Sequence, residues 1–427
     1  NLPQKTENDS DGFYELTWQP QNLPLDPAID FQGLRWLVFC DSTGIGENLV
    51  KALTKSGVTC LSVLPGETTE TPVSGAATLN LDRPDEIETI FNWALSGDVK
   101  LDRVIYLWAC NGTPSKQLNA DSLMRDQILN SHLPLRITQS LCNHSTAVDS
   151  KIWFITRGAQ MVVGSDLDIS VGQSPLWGFA RSVVMEHPEI FGGLIDLDAQ
   201  ASAPLSGDDL FNALTLPLDD DSIAFRRREL YVERLTRQQI SNPQVQEIHW
   251  RSDAAYLVTG GLGGMGLSLA NWMADQGVRH IVLLGRSELP GRDEWSSITS
   301  EHPRHLAIST ITALESKGVE VTLAALDAGD KLGMTKLRES LKRSVAGIFH
   351  AAGLFEDCPL RHLETKSLDV VMHPKVLGTW VLNEVFGQNE LDFFILFSSF
   401  SSFLPARGQA SYAAANSFLD AFACYRR

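Results

Sequence analysis

A glycine turn, Thr259-Gly260-Gly261-Leu262-Gly263-Gly264-Met265-Gly266, joins an apolar run to a helical pattern, and few folds accommodate that junction. Ala255–Thr259 reads as a strand and Leu267–Gln276 as a helix. Glycines in such a turn let the backbone approach a pyrophosphate, and the helix amino terminus attracts its negative charge. A tight strand–helix turn also uses glycine, so the motif alone is weak. The strand before it and the helix after it are the context a dinucleotide fingerprint needs.

The alternation continues. Strands are expected at His280–Leu284, Glu320–Ala325, Val345–His350 and Phe393–Phe397, with helices at Lys331–Lys342 and within Ser367–Phe386. The same order stands earlier in the chain. Strand patterns at Leu34–Phe39, Thr59–Leu64, Ala77–Leu81, Arg103–Leu107 and Lys151–Thr156 are separated by helical patterns through Lys55, at Asp85–Ala94 and at Leu123–Cys142. A helix at Pro175–His187, a strand at Gly193–Asp196, a helix from Asp208 and a β-rich run Ile223–Leu235 complete this copy, and Phe13–Trp18 alternates like a further strand.

Strands alternating with helices imply a parallel, doubly wound sheet. The expected fold is therefore α/β, with two tandem Rossmann-like parallel-sheet subdomains related by internal duplication, residues 1–240 and 241–427. The 427 residues exceed what one domain usually holds. Residues 1–12 are polar and expected to fray, and residues 236–252 read as a polar connector. The first copy runs on past its Pro175–His187 helix, whereas the second stops at Arg427 inside the equivalent helix. The second copy is thus expected to lack its last strands and the loop covering its site.

Leu284-Gly285-Arg286-Ser287 closes the second strand of the later copy. An acidic residue there suits the ribose hydroxyls of NAD, whereas an arginine accommodates the 2′-phosphate of NADP, so Arg286 with Ser287 points to NADPH. A solvated arginine at a strand end is the alternative. Asp327 either accepts from an adenine amino group or caps the helix near Lys331. Phe393–Phe397 has the pattern of a strand buried on both faces, and hydroxyls appear at its carboxyl end in Ser398-Ser399, where ligand crevices of open α/β sheets lie. Tyr412 then opens a helical pattern with Asn416 one turn on. A phenol can act as a general acid there if its pKa and orientation are controlled; an ordinary core strand, loop and packed tyrosine are the alternative. The first copy fails the same tests. Its turn has only Gly44 and Gly46, no arginine follows Leu64-Pro65-Gly66-Glu67, and Arg157 and Leu176-Trp177 stand near the places of Ser399 and Tyr412. That half is expected to keep the fold without the chemistry.

A net charge of −17 argues against a nucleic-acid or anionic-membrane partner. No apolar run approaches the roughly 18–20 residues that span a bilayer, and no signal-peptide pattern is present, so cytosol is expected. Cys40, Cys60, Cys110, Cys142, Cys358 and Cys424 show no close pairing, which suggests neither a disulfide framework nor a metal site.

Together the glycine turn, Leu284-Gly285-Arg286-Ser287, His350-Ala351-Ala352-Gly353 and Phe397-Ser398-Ser399 with Tyr412-Ala413-Ala414-Ala415-Asn416 resemble the ketoreductase domain of modular polyketide synthases, a double-length branch of the short-chain dehydrogenase/reductase family. The resemblance runs from Phe13 to Tyr425. It implies NADPH held by Gly261, Leu262, Gly263, Gly264, Met265, Gly266, Arg286, Ser287, Asp327, Ala351, Ala352 and Gly353. Ordinary short-chain reductases carry a lysine four residues after the tyrosine; here that position is Asn416, and Lys375 in His373-Pro374-Lys375 fits the upstream lysine of the polyketide branch. The implied roles are proton donation by Tyr412, a hydrogen bond to the ketone from Ser399, ribose binding and lowering of the phenol pKa by Lys375, and a relay water held by Asn416. The implied reaction is reduction of a β-ketoacyl thioester carried on the phosphopantetheine of an acyl carrier protein, beside the other domains of a synthase module. A free-standing reductase of a small ketone and a non-catalytic scaffold domain are the alternatives. Members forming the D-alcohol (B-type) carry Leu-Asp-Asp after the fourth strand, with its last Asp most telling, and lack a tryptophan eight residues before the tyrosine. This sequence has Phe355-Glu356-Asp357 and Leu404 at these substrate-orienting places, which implies the D-alcohol.

Overall fold

The computed structural model describes residues 12–22, 31–73, 75–96, 100–144, 149–166, 168–200, 207–215, 220–238, 248–387 and 391–427. All but the last residue of the expected frayed amino terminus, and the middle of the expected connector, lie outside these. The chain packs as two units, Asn1–Lys116 with Asp126–Glu247, and Gln117–Arg125 with Ile248–Arg427. Gln117–Arg125 thus groups with the second unit although it lies in the first half of the sequence.

In the first unit β1 (Phe13–Gln21), β2 (Arg35–Phe39), β3 (Thr59–Gly66), β4 (Ala77–Asn80), β5 (Arg103–Tyr106), β6 (Lys151–Arg157), β7 (Phe191–Leu197), β8 (Ser222–Arg226) and β9 (Glu229–Gln238) form one sheet in the order β1-β9-β8-β7-β6-β5-β2-β3-β4. From β4 to β8 every pairing is parallel. The single β-rich run expected at Ile223–Leu235 is instead a hairpin, and β9 pairs antiparallel with both β8 and β1. Its turn is Arg227-Arg228, both with positive φ (53° and 68°), the backbone twist a two-residue hairpin loop demands. The helix expected over Leu123–Cys142 begins at Ala120 and is interrupted by a π-turn at Ile128–His132.

The second unit has β10 (Ala255–Thr259), β11 (His280–Gly285), β12 (Glu320–Ala325), β13 (Val345–His350) and β14 (Phe393–Leu396), all parallel, in the order β12-β11-β10-β13-β14. That order repeats β4-β3-β2-β5-β6 of the first unit, so the duplication is one of topology. Every residue of β10 is buried. Tyr256 and Val258 pack on one face with Leu283 and Phe349, and Leu257 packs on the other with Val282, Leu284 and Ile348. This explains why the strand reads as an uninterrupted apolar run.

β14 corrects the reading of Phe393–Phe397. It is an edge strand among the described residues and is only half-buried. Strand order reverses between β10 and β13, which opens a crevice at the carboxyl ends of the strands. No described helix is long and apolar enough to cross a membrane.

Candidate active site

The glycine turn leaves β10 at Gly260, whose φ of +66° is one that L side chains rarely adopt. Gly263 caps the helix Gly264–Asp275, which has no side-chain cap, so its first N–H groups have no intrahelical partner. Nothing stands within 4 Å of where a Gly264 Cβ would be. Beside the turn lies a cleft of about 240 Å³, lined by Gly260, Leu262, Gly263, Leu284, Gly285, Arg286, Ser287, Arg304, Leu326, Asp327, Ala328, Ala352, Gly353, Leu354 and Pro374. Unsatisfied helix N–H groups, open space over glycine and a strand-end arginine together fit a dinucleotide phosphate.

Asp327 does not cap the next helix. That cap is Asp330, whose carboxylate accepts from the Gly333 N–H. Asp327 instead accepts from the Gly329 N–H (2.7 Å) and pairs with His373 Nε2 (2.8 Å). The His373 contact holds the Asp327 carboxyl below the usual carboxylate range, and the same contact raises the imidazole.

The helix Thr365–Phe386 carries Lys375, which is 4% exposed. Its Nζ donates to the Phe397 carbonyl at 2.6 Å and lies 5.7 Å from the Tyr412 ring centroid. A Cβ on Gly353 would stand 3.1 Å from Lys375 Cε, so glycine there leaves the lysine stem its space. Burial pulls the ammonium down to about 8 from 10.5, with Asp420 acting weakly the other way.

The helix is also tied to β13 beneath. Fully buried His350 places Nε2 3.0 Å from the Pro374 carbonyl, so that nitrogen must carry the hydrogen, and Nδ1 accepts from Thr259 Oγ1 at 2.7 Å. Thr259 Oγ1 in turn accepts from the Ala352 N–H at 3.1 Å. Burial keeps His350 neutral by lowering it to about 3.

Tyr412 lies in the first turn of the helix Ala410–Tyr425, half-buried, with the Phe355 ring edge-on at 5.1 Å. Asn416 donates Nδ2 to the Tyr412 carbonyl at 2.8 Å, and only the amide nitrogen can donate there. Its Oδ1 is therefore turned away, buried and without a partner among the described residues. Such an acceptor suits an ordered water. The Ser399 hydroxyl accepts from Ser401 N–H (3.2 Å) and Ser401 Oγ (2.8 Å), which leaves its own hydrogen to donate outward.

Residues 254–427 match the family model of the KR domain. This segment is similar to KR domains. Residues 67–235 match the Rossmann fold domain of the polyketide synthase extender module SpnB, so both Rossmann-like regions are accounted for. The chain is 36% identical over 295 residues to a phenolphthiocerol/phthiocerol polyketide synthase subunit of Mycobacterium tuberculosis, a match covering 68% of this chain and 16% of that protein. A solved structure described as A-type ketoreductases from a modular polyketide synthase is 26% identical, with TM-score 0.74 over 97% of this chain and 80% of the other. An N-terminal ketoreductase from the macrolactin assembly line shares the fold, with TM-score 0.81 over 97% of this chain and 80% of that one at 21% identity.

Within this segment the expected site residues separate into layers. Leu262, Gly263, Arg286, Ser287, Asp327, Ala352 and Gly353 line the cleft. Gly261 is packed against Leu283, the Ala351 carbonyl stands 2.9 Å from where a Gly260 Cβ would be, and Gly264, Met265 and Gly266 open the helix, with Met265 56% exposed. Asp357 and Leu404 are exposed in outer loops, where the Cys358 N–H donates to the Gly408 carbonyl and ties the Asp357 loop to the turn before Tyr412. Sequence reasoning missed Arg304, the His373–Asp327 pair, the Thr259–His350–Pro374 chain and Ser401. Only His350 had a signal, an ionisable residue ending an apolar strand.

The first unit shows why its own turn reads differently. Asp41 stands where the later copy has Gly261, counting back from Gly46 and Gly266. Its carboxylate is 5% exposed and accepts from the Thr43 N–H (2.9 Å), the Ile45 N–H (3.4 Å), the Gly46 N–H (2.7 Å) and the Thr43 hydroxyl. The place a phosphate takes at such a helix start is filled by the chain's own anion.

Proposed function

We propose that this chain reduces the β-keto group of an acyl thioester carried on the phosphopantetheine of an acyl carrier protein, with NADPH as reductant, to a D-configured β-hydroxyl. The observation that carries the reading is Lys375, a buried ammonium between Gly353 of the dinucleotide cleft and the face of the Tyr412 ring. A buried charge of that kind is costly and is kept where chemistry needs it. Reduced nicotinamide, when bound, supplies the hydride equivalent for the ketone carbon.

The chain's own residues do the rest. Tyr412 gives its phenolic proton to the developing alkoxide, and the free hydrogen of Ser399 holds the ketone oxygen. Lys375, fixed by the Phe397 carbonyl, binds the ribose and puts positive charge beside the phenol as its proton leaves. The orphaned Asn416 Oδ1 would hold a water that passes a proton from solvent to the Tyr412 phenolate. Arg286 and Ser287 take the 2′-phosphate. The first unit serves as structural support, which its occupied helix start supports.

The product's hand follows from which side of the groove admits the pantetheine arm. Leu404 leaves open the side an indole would block, and Asp357 keeps the last position of the D-alcohol signature; both support the D-alcohol. We further propose residues 1–240 and 241–427 as the functional division, neighbouring synthase domains as partners, and the cytosol as the compartment. The test is NADPH oxidation with a β-ketoacyl-pantetheine substrate. Tyr412→Phe should keep cofactor affinity and lose about 10²-fold or more in rate; near-normal turnover in that variant removes Tyr412 from the role.

A further inference from the structure

We propose that Arg304 is a second 2′-phosphate ligand, acting with Arg286 as a two-guanidinium clamp that sets the preference for the phosphorylated dinucleotide. The inference rests on the NADPH reading above and adds a residue to it. Arg304 lies far from Arg286 in sequence, in the long segment between β11 and β12, yet both line the same cleft with Ser287 and Asp327.

Charge matching motivates the clamp. A phosphate monoester carries about −1.5 to −2 at pH 7, so a single guanidinium leaves much of it unbalanced. Asp327, the one acidic residue among the cleft's described lining, makes no ion pair with either arginine. Its carboxylate is engaged directly by His373 Nε2 and the Gly329 N–H, and the Arg286 charge acts on it only as a weaker, more distant influence. Arg286 and Arg304 form no side-chain hydrogen bond or ion pair among the described residues. Arg292, on the same segment, is engaged by both oxygens of Glu315 and lies over the Trp295 ring at 4.6 Å, so it is not a candidate.

The backbone of Arg304 is anchored. Its N–H donates to His302 Nδ1 at 3.1 Å, and its carbonyl accepts from the Ile308 N–H at 3.0 Å as the cap of the helix His305–Ser316. A guanidinium on a fixed backbone presents its donors with less ordering cost than one on a free loop, and its planar fork suits phosphate. Removing the side chain leaves both backbone contacts in place.

Calorimetric titration of the full chain with NADP⁺, NAD⁺ and adenosine 2′-phosphate tests this directly, without turnover. Arg304→Ala should weaken NADP⁺ and adenosine 2′-phosphate about 10- to 100-fold and leave NAD⁺ within about 2-fold. Arg304→Gln keeps the side chain's length and should behave alike. Equal weakening of NADP⁺ and NAD⁺, or no weakening of either, overturns the clamp. If Arg286→Ala alone abolishes the preference and Arg304→Ala preserves it, the Arg304 role falls while the NADPH reading stands. If the unaltered chain binds NADP⁺ no better than NAD⁺, both fall.

Discussion

Replacing Lys375 with methionine should change how stability depends on pH, in a direction its burial dictates. The ammonium is 4% exposed and titrates near 8 rather than 10.5, chiefly from desolvation. At about 1.4 kcal/mol per pH unit, the folded protein holds this charge at a cost of roughly 3 kcal/mol. A lysine whose folded pKa lies below its unfolded value binds its proton more weakly when folded. Folding is therefore opposed in full below about pH 8, and the opposition fades as pH climbs toward 10.5. Between pH 7 and 10 the unaltered chain should gain roughly 2–3 kcal/mol relative to Lys375→Met. The sign of the difference at pH 7 is set by a second effect, because methionine leaves the Phe397 carbonyl without the donor it now has at 2.6 Å. Titrations common to both proteins cancel in the comparison. Urea unfolding of the pair at pH 7, 8, 9 and 10 measures the trend, and reduction should be lost in the variant throughout. A difference that stays flat across this range would refute a desolvated ammonium at Lys375.

Arg286→Ala should weaken NADPH by roughly 1.5–3 kcal/mol and NADH far less, and titration that finds both weakened equally would remove Arg286 from the 2′-phosphate. Dinucleotide should bind one site per chain, because Asp41 already fills the helix start of the first unit; two equivalent sites by calorimetry would contradict this. Asp41→Ala should cost the first unit about 1–2 kcal/mol by chemical unfolding, as loss of a helix-capping carboxylate does, and leave cofactor affinity of the folded chain unchanged. Chiral chromatography of the reduced product should give predominantly the D-alcohol, and Asp357→Ala should erode that selectivity. A predominantly L-product sinks the assignment drawn from Asp357 and Leu404.

What could be read from the sequence was what short-range spacing encodes. Short runs rich in apolar and β-branched residues gave the parallel strands β10 to β13 to within a residue at their ends, and in β10, buried at every residue, cover on both faces leaves no place for a charged side chain. The glycine turn, Arg286 at a strand end and the repeated strand–helix order carry their meaning locally in the same way. Pairing does not. Phe393–Leu396 read as a strand buried on both faces but is only half-buried, since apolar composition does not say what finally packs against it. The run Ile223–Leu235 hid a hairpin because its turn uses two arginines in place of the glycine or asparagine that usually mark one. Nothing in the sequence singled out Asp41, whose carboxylate meets the Thr43, Ile45 and Gly46 N–H groups in the fold. Charge placement was equally hidden: Asp327 meets His373, and Arg304 joins Arg286 in lining one cleft, across intervening stretches of chain. Periodicity and turn chemistry are properties of neighbouring residues, so the sequence determined the repeated α/β order and the glycine turn. Burial, edges and charge balance arise from residues that meet only after folding, and those the tertiary structure decided.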